Sequence, residues 1–284
     1  MMLDAPTTIA PGVEVLPLRT PTLPPATHTN AYLIGTGDFV LIEPASPYPE
    51  EIERAATWVE QRLSRGDRLR AILATHHHPD HIGAATALAQ RLDAPLWAHA
   101  ATIDRLAGSV VFAHAIADGE VIALDGDVPL QLRAVFTPGH APGHLCFYDE
   151  LSRAMIAGDM VASIGTILVE TVDGDMAQYL ASLARMDALE PSVLLPAHGA
   201  PIYAAHEKLT GYIAHRLARE AKVLAALRAD SRPREVQALV PHAYADAPPL
   251  VWPLAALAAE AHLVKLANDG LAEHTPDGWR ALGC

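Results

Sequence analysis

The chain has 284 residues, 51% hydrophobic and 19% charged, which is apolar material for one large domain, or a large and a small one, and excludes global disorder. Its formal net charge of −13 argues against a surface that grips nucleic acid along its whole length. From Lys208 onward nine Lys/Arg stand against eight Asp/Glu, so the acidity belongs to the first two hundred residues.

No apolar run approaches the roughly 18–20 residues that span a bilayer, so no membrane association is expected. The segment Met1–Gly12 has neither the basic start nor the apolar core of a signal peptide, and a cytoplasmic location is the expectation. Cys146 sits in an apolar run and Cys284 is the last residue, so no disulfide framework is expected.

Taken in chain order, short β-branched and apolar runs predict strands over Val13–Leu18, Ala31–Gly35, Phe39–Glu43, Arg70–Thr75, Pro95–Ala98, Val128–Phe136, Leu145–Tyr148, Ala154–Ala157 and Val193–Leu195. Between them, Ala/Leu-rich stretches predict helices over Glu50–Arg65, Asp80–Arg91, Ala100–Leu106 and Met176–Leu189. The mixture fits either a layered sheet-on-sheet body with helices outside or a doubly wound sheet. After His206 the character changes: helices are expected over Leu209–Ala229, Pro233–Val240 and Pro253–Asp269, then a hairpin over Leu271–Leu282 turning at Pro276-Asp277-Gly278. Residues 1–206 therefore read as one domain and 207–284 as a smaller helical, winged-helix-like one.

The chemistry concentrates in four loops. Directly after the strand at Arg70–Ala74 comes Thr75-His76-His77-His78-Pro79-Asp80-His81. In an extended segment residues two apart point the same way, so His76 and His78 face one centre while His77 points elsewhere. Pro79 suits a helix start and puts Asp80 and His81 in its first turn. By chance alone such a cluster arises about once in several hundred sequences this rich in His and Asp. Thr137-Pro138-Gly139-His140-Ala141-Pro142-Gly143-His144, Ala157-Gly158-Asp159 and Leu195-Pro196-Ala197-His198-Gly199 each place an imidazole or carboxylate after a strand. These are side chains that zinc, iron and manganese accept. His144 reads as structural rather than as a leaving-group donor, and His28 as a loop histidine.

In this order and over residues 29 to about 203, the motifs resemble the metallo-β-lactamase superfamily pattern of His-x-His-x-Asp-His, Thr-Pro-Gly-His, Gly-Asp and a Gly-His-Gly-like turn. The resemblance implies a four-layer αββα sandwich holding two divalent metal ions, zinc first, with iron or manganese as alternatives. It implies His76, His78 and His140 at the first ion, Asp80, His81 and His198 at the second, and Asp159 bridging both. It further implies hydrolysis by a metal-bridging hydroxide, with Asp80 orienting the nucleophile or shuttling its proton. His81 and Asp159 are similar to the glyoxalase II and nuclease branches, and the tail is similar to that of lactamase-β-like protein 2. Two departures stand out: Pro-Ala-His-Gly replaces Pro-Gly-His-Gly, and Glu43 stands where relatives carry Asp, as a candidate to hold a ligand imidazole.

The expected function is cleavage of an ester or thioester of a small molecule. A metal-dependent phosphodiesterase or endoribonuclease, and a non-catalytic DNA- or ligand-binding regulator, are the alternatives. Glutathione-type substrates would draw on the only basic group of the tail that offers itself, Arg216, Arg219 and Lys222. The tail itself leaves RNA binding, with little support from composition, and homo-oligomer formation open.

Overall fold

A computed structural model describes residues 5–283; Cys284 and residues 1–4 lie outside the described residues. Cys146 is buried and forms no disulfide among the described residues.

The chain divides into two compact units. The first comprises residues up to 137, 142–165 and 190–205; the second comprises 138–141, 166–189 and 206 onward.

The first unit holds two sheets. One has seven strands in sequence order: β1 (Thr7–Ala10), β2 (Val13–Arg19), β3 (His28–Ile34), β4 (Asp38–Ile42), β5 (Arg68–Leu73), β6 (Leu96–His99) and β7 (His114–Ile116). It is antiparallel from β1 to β4 and parallel from β4 to β7. The other runs in the order β12 (Val193–Pro196), β11 (Ala154–Gly158), β10 (Leu145–Asp149), β9 (Leu130–Phe136), β8 (Val121–Leu124), with only the β11–β12 pair parallel.

Period-two alternation sorts the side chains. From β3 and β4, Tyr32, Ile34, Val40 and Ile42 pack with Leu132, Phe147 and Ile156 of the second sheet, so the two sheets lie face to face. Their neighbours Leu33, Phe39 and Leu41 point the other way, against Ala55, Trp58 and Val59 of α1 (Pro49–Leu63) and Leu88 of α3 (Ala85–Leu92). Each large side chain buried this way contributes roughly 1.5–3 kcal/mol. This choice, a sandwich rather than one doubly wound sheet, is what the pattern alone leaves open.

Two local expectations are corrected. The helix expected over Asp80–Arg91 is two helices, α2 (Pro79–Ile82) and α3, separated at Gly83 and Ala84. A Cβ on Gly83 would stand 2.7 Å from Pro47 N and 2.8 Å from Pro79 O, and the Ala84 amide donates to Pro44 O at 2.9 Å. The loop after β4 thus crosses closely enough to break the helix. The strands β1, β7 and β8 add to those the sequence predicts, and all three are sheet edges. An edge strand has one neighbour and a wet flank, and its sequence signal is correspondingly weak. After β6 follows α4 (Ala100–Arg105).

The second unit contains α5 (Met176–Asp187), α6 (Ala205–Arg228), α7 (Val236–Ala243), α8 (Trp252–Asn268) and the hairpin β13 (Ala272–Thr275)–β14 (Gly278–Ala281). Val223 and Leu227 of α6, Leu239 of α7, Leu263 and Leu266 of α8 and Trp279 of β14 form its core. The expectation that no apolar run is long enough to cross a membrane is corrected at Pro249–Asn268, which has the length and composition to do so. Ala255, Ala259, Leu263 and Leu266 of this stretch are core residues of the unit, as in the central helix of a globular domain.

Candidate metal centre

β5 ends at Leu73, and residues 75–77 bend rather than continue the strand. The bend still brings alternate histidines together. His76 Nε2 and His78 Nδ1 are 2.9 Å apart and their rings 4.5 Å, whereas the His77 ring lies 6.3 Å from that of His76. Pro79 then opens α2, so Asp80 and His81 fall in the first turn, as the spacing implies. Asp159 follows β11 and His198 follows β12, two parallel neighbours whose ends lie side by side.

Six of the seven candidate ligands, all but His140, belong to the first unit. His76, His81 and Asp159 bring one donor atom each to within 4.8 Å of one another, and so do Asp80, His81 and His198. The spacing within this group is informative. His81 Nε2 stands 3.7 Å from Asp80 Oδ2 and 3.6 Å from Asp159 Oδ2; His198 Nε2 stands 3.6 Å from Asp80 Oδ2 and 3.3 Å from Asp159 Oδ1. These are longer than good hydrogen bonds. Two donors each about 2.0–2.1 Å from one tetrahedral ion lie about 3.3–3.4 Å apart, which the observed separations approach. His81 Nε2 is moreover buried without a hydrogen-bond partner among the described residues. A buried imidazole nitrogen that faces two carboxylates at more than hydrogen-bond distance fits a metal ligand.

Electrostatics agree. Burial alone would lower the pKa of His81, yet Glu43, Asp80 and Asp159 hold it well above the ordinary value. Burial likewise opposes the charge of Asp159, but His198 and His81 keep its carboxyl well below the usual range. Burial also opposes charge on His198, whose pKa Asp159 nevertheless raises. The cluster concentrates negative charge that a cation would neutralise.

A ring of supporting groups fixes these side chains. Glu43, fully buried at φ +64°, accepts at Oε1 from Thr75 Oγ1 at 2.7 Å and from His81 Nδ1 at 3.0 Å. His76 Nδ1 donates to Thr75 Oγ1 at 3.0 Å, so Glu43 holds one histidine directly and another through Thr75. His198 Nδ1 donates to His28 O at 2.8 Å. In each case the donating Nδ1 leaves the lone pair on Nε2. A non-glycine residue at positive φ costs roughly 1–3 kcal/mol, and Glu43 bears that strain at a point that orients a ligand.

His144 is buried; its Nε2 accepts from the Asp159 amide at 3.1 Å and its Nδ1 donates to Thr137 Oγ1 at 2.8 Å. Its role is structural, as the sequence suggests: one ring nitrogen supports Asp159 and the other supports Thr137.

His140 lies on the 138–141 segment, which groups with the second unit. There its Nδ1 donates to Leu168 O at 2.8 Å, again leaving the lone pair on Nε2. Gly139 packs so closely on α5 that a Cβ would stand 2.2 Å from Tyr179 N, and Ser182 Oγ donates to Pro138 O at 2.7 Å.

The basic group of the tail is not presented as a clamp. Arg219 and Lys222 both engage the Asp246 carboxylate, at 2.8 Å each, and Arg219 stacks on Tyr244. Arg216 is buried, donates to Ile167 O and lies over the Tyr179 ring.

A face-to-face pair of mixed sheets with imidazoles and carboxylates gathered where strands end is a scaffold for divalent-metal hydrolysis. The chain belongs to the metallo-β-lactamase superfamily, whose model matches residues 24–198; a β-lactamase-associated winged helix domain matches residues 236–279. The fold is accordingly the expected αββα sandwich followed by a winged helix. The lactamase-like protein vrtG of Penicillium aethiopicum is 36% identical over 79% of this chain and 69% of its own length. The thioesterase pkgB of Emericella nidulans is 34% identical over 70% of this chain, which spans only 54% of that protein. The beta-lactamase-like protein 2 homolog of Caenorhabditis elegans is 29% identical over 87% of this chain and 81% of its own. Among solved structures, a metallo-β-lactamase family protein from Thermus thermophilus superposes with TM-score 0.76 at 23% identity, over 96% of this chain and 99% of its own.

Proposed function

We propose that this protein hydrolyses an ester or thioester of a small molecule with two divalent ions, zinc by preference. In this reading His76, His78 and His140 serve one ion, Asp80, His81 and His198 the other, and Asp159 both. The observation that carries it is the set of separations of 3.3–3.7 Å from the Nε2 atoms of His81 and His198 to the carboxylates of Asp80 and Asp159. The name of the thioesterase relative pkgB supports the choice of ester or thioester. So does the engagement of Arg219 and Lys222 by the one Asp246 carboxylate, which offsets one of their two charges and ties both side chains within the tail.

When bound, two divalent ions supply acidified water and polarisation of the scissile carbonyl. The chain's own residues do the rest. Glu43 and Thr75 set the tautomers of His81 and His76, and the His28 carbonyl sets that of His198. Asp80 orients the attacking water and takes up its proton, a task suited to a carboxylate that is only 14% exposed and faces two imidazoles.

Elemental analysis of the purified protein, followed by turnover assays on thioesters, lactones, phosphodiesters and short RNA, tests this. Two equivalents of metal and ester or thioester cleavage that falls at least about a hundredfold in Asp80→Ala are expected. Cleavage confined to phosphodiesters or RNA would overturn the substrate reading, and undiminished turnover by Asp80→Ala would remove Asp80 from the chemistry.

A further inference from the structure

A cavity of about 380 Å³ opens against the imidazole of His198 in the first unit. That volume lies toward the lower end of the roughly 300–1,000 Å³ typical of small-molecule sites. Its floor is the β2–β3 pair, where Val15 faces Tyr32 and Pro17 faces Asn30 across the strands. Pro25, Ala26, Ile164 and Pro201 also line it. Ile164 is 76% exposed, a large apolar side chain spent on the rim of a cavity rather than in a core.

Most of the hydrogen-bond donors around this space already have partners. Asn30 Nδ2 donates to Pro196 O at 2.9 Å and to Gly199 O at 2.8 Å, and the Tyr32 hydroxyl donates to Pro196 O at 2.8 Å. These three bonds hold the turn that carries His198, so their donors are occupied. Arg54, the one Lys or Arg among the lining residues, is paired with Glu51. Thr27 and His28 bond to each other at 2.7 Å. An anionic or heavily hydroxylated guest would lose water here without recovering its hydrogen bonds. A hydrocarbon guest would lose nothing.

The geometry points to this cavity as the acyl pocket of the proposed hydrolase, receiving an uncharged alkyl or aryl acyl group whose ester or thioester carbon lies toward His198. The inference rests on the hydrolase reading above. It selects the acyl half because the thiol half of biological thioesters is polar and charged, which suits neither the lining nor the size of the space.

The test uses the metal-loaded full chain and thioesters of one small thiol, with acyl groups from acetyl to decanoyl. In the wild type kcat/KM rises about fourfold for each added methylene until the cavity is full. Ala26→Phe fills the space and Ile164→Glu charges its mouth; because residue 164 is exposed, the second variant folds even if the first does not. In either, the octanoyl-to-acetyl ratio of kcat/KM falls at least about tenfold, the worth of two buried methylenes. Calorimetry with a non-hydrolysable octyl thioether gives a readout independent of turnover. Wild-type binding that is lost in the variants supports the pocket. Turnover of every thioester at one rate regardless of chain length overturns the acyl pocket and leaves the hydrolase reading standing. Absence of any thioester or ester turnover, with the thioether still bound in the wild type alone, sinks the hydrolase reading and keeps an apolar ligand site. A thioether that does not bind the wild type refutes the pocket outright.

Discussion

Glu43 receives His81 Nδ1 at 3.0 Å on one carboxylate oxygen, while its other oxygen is buried with no hydrogen-bond partner among the described residues. The pair is thus more than a structural hydrogen bond: the carboxylate holds the imidazole in one tautomer and adds negative charge beside the candidate second ion. Glu43→Ala should weaken binding of one metal equivalent about 10–100-fold, measured by chelator competition. Glu43→Gln keeps an acceptor without the charge and should fall between. Unchanged affinity in both would remove Glu43 from the metal centre.

His144 predicts a stability effect that does not depend on metal. Its Nε2 accepts from the buried Asp159 amide, and Gly158 lies so close that a Cβ there would meet the ring at 2.5 Å. His144→Ala leaves that amide without its acceptor and opens a void, at a cost of about 2–4 kcal/mol. Urea denaturation of the chelator-treated protein should show the loss in full. His144→Phe refills the space without the acceptor and should recover only part of it.

Gly139 sits at φ +130° against the backbone of Tyr179. No side chain can be moved aside to admit a Cβ there, because the nearest atoms are main chain. Gly139→Ala should displace the segment bearing His140 and lower metal content from about two equivalents toward one. Elemental analysis reads this directly, and retention of both equivalents would exclude His140 as a ligand held by this loop.

The titration of the cluster sets a pH dependence. In the metal-free protein His81 and His198 have raised pKa values, so the stability they contribute is full below about pH 6.5 and is lost as pH rises through the raised values. Asp159 has a lowered pKa, and its contribution is present above about pH 3.9 and is lost as pH falls through the lowered value. The stripped protein should therefore be most stable in mildly acidic solution. Metal loading must expel the imidazole protons, so affinity should tighten with pH. The difference in Tm between loaded and stripped protein should widen from about pH 5.5 to about pH 8; a constant difference would contradict the assignment of these imidazoles.

Much of this protein is legible in its sequence because the relevant signals are local. Short apolar runs mark the inner strands β3, β4, β9 and β10, and Pro79 after three histidines marks the start of α2. The donor types of His76, His78, Asp80 and His81 need only their spacing. The edge strands β1, β7 and β8 are not legible, since one neighbour suffices to pair them and little burial is imprinted on their residues.

Tertiary structure decides what depends on segments far apart in the chain. Only the crossing of residues 44–47 over Gly83 divides α2 from α3. Glu43 adopts a left-handed conformation and meets His81, 38 positions away, because the end of β4 lies beside the end of β5. The proton acceptor for the Asp159 amide, and the apolar space beside His198, likewise exist only once strands from separate parts of the chain have paired. Composition and spacing determine which chemical groups are at hand; long-range packing determines which of them meet, because neither a cavity nor an orientation is a property of any single stretch of chain.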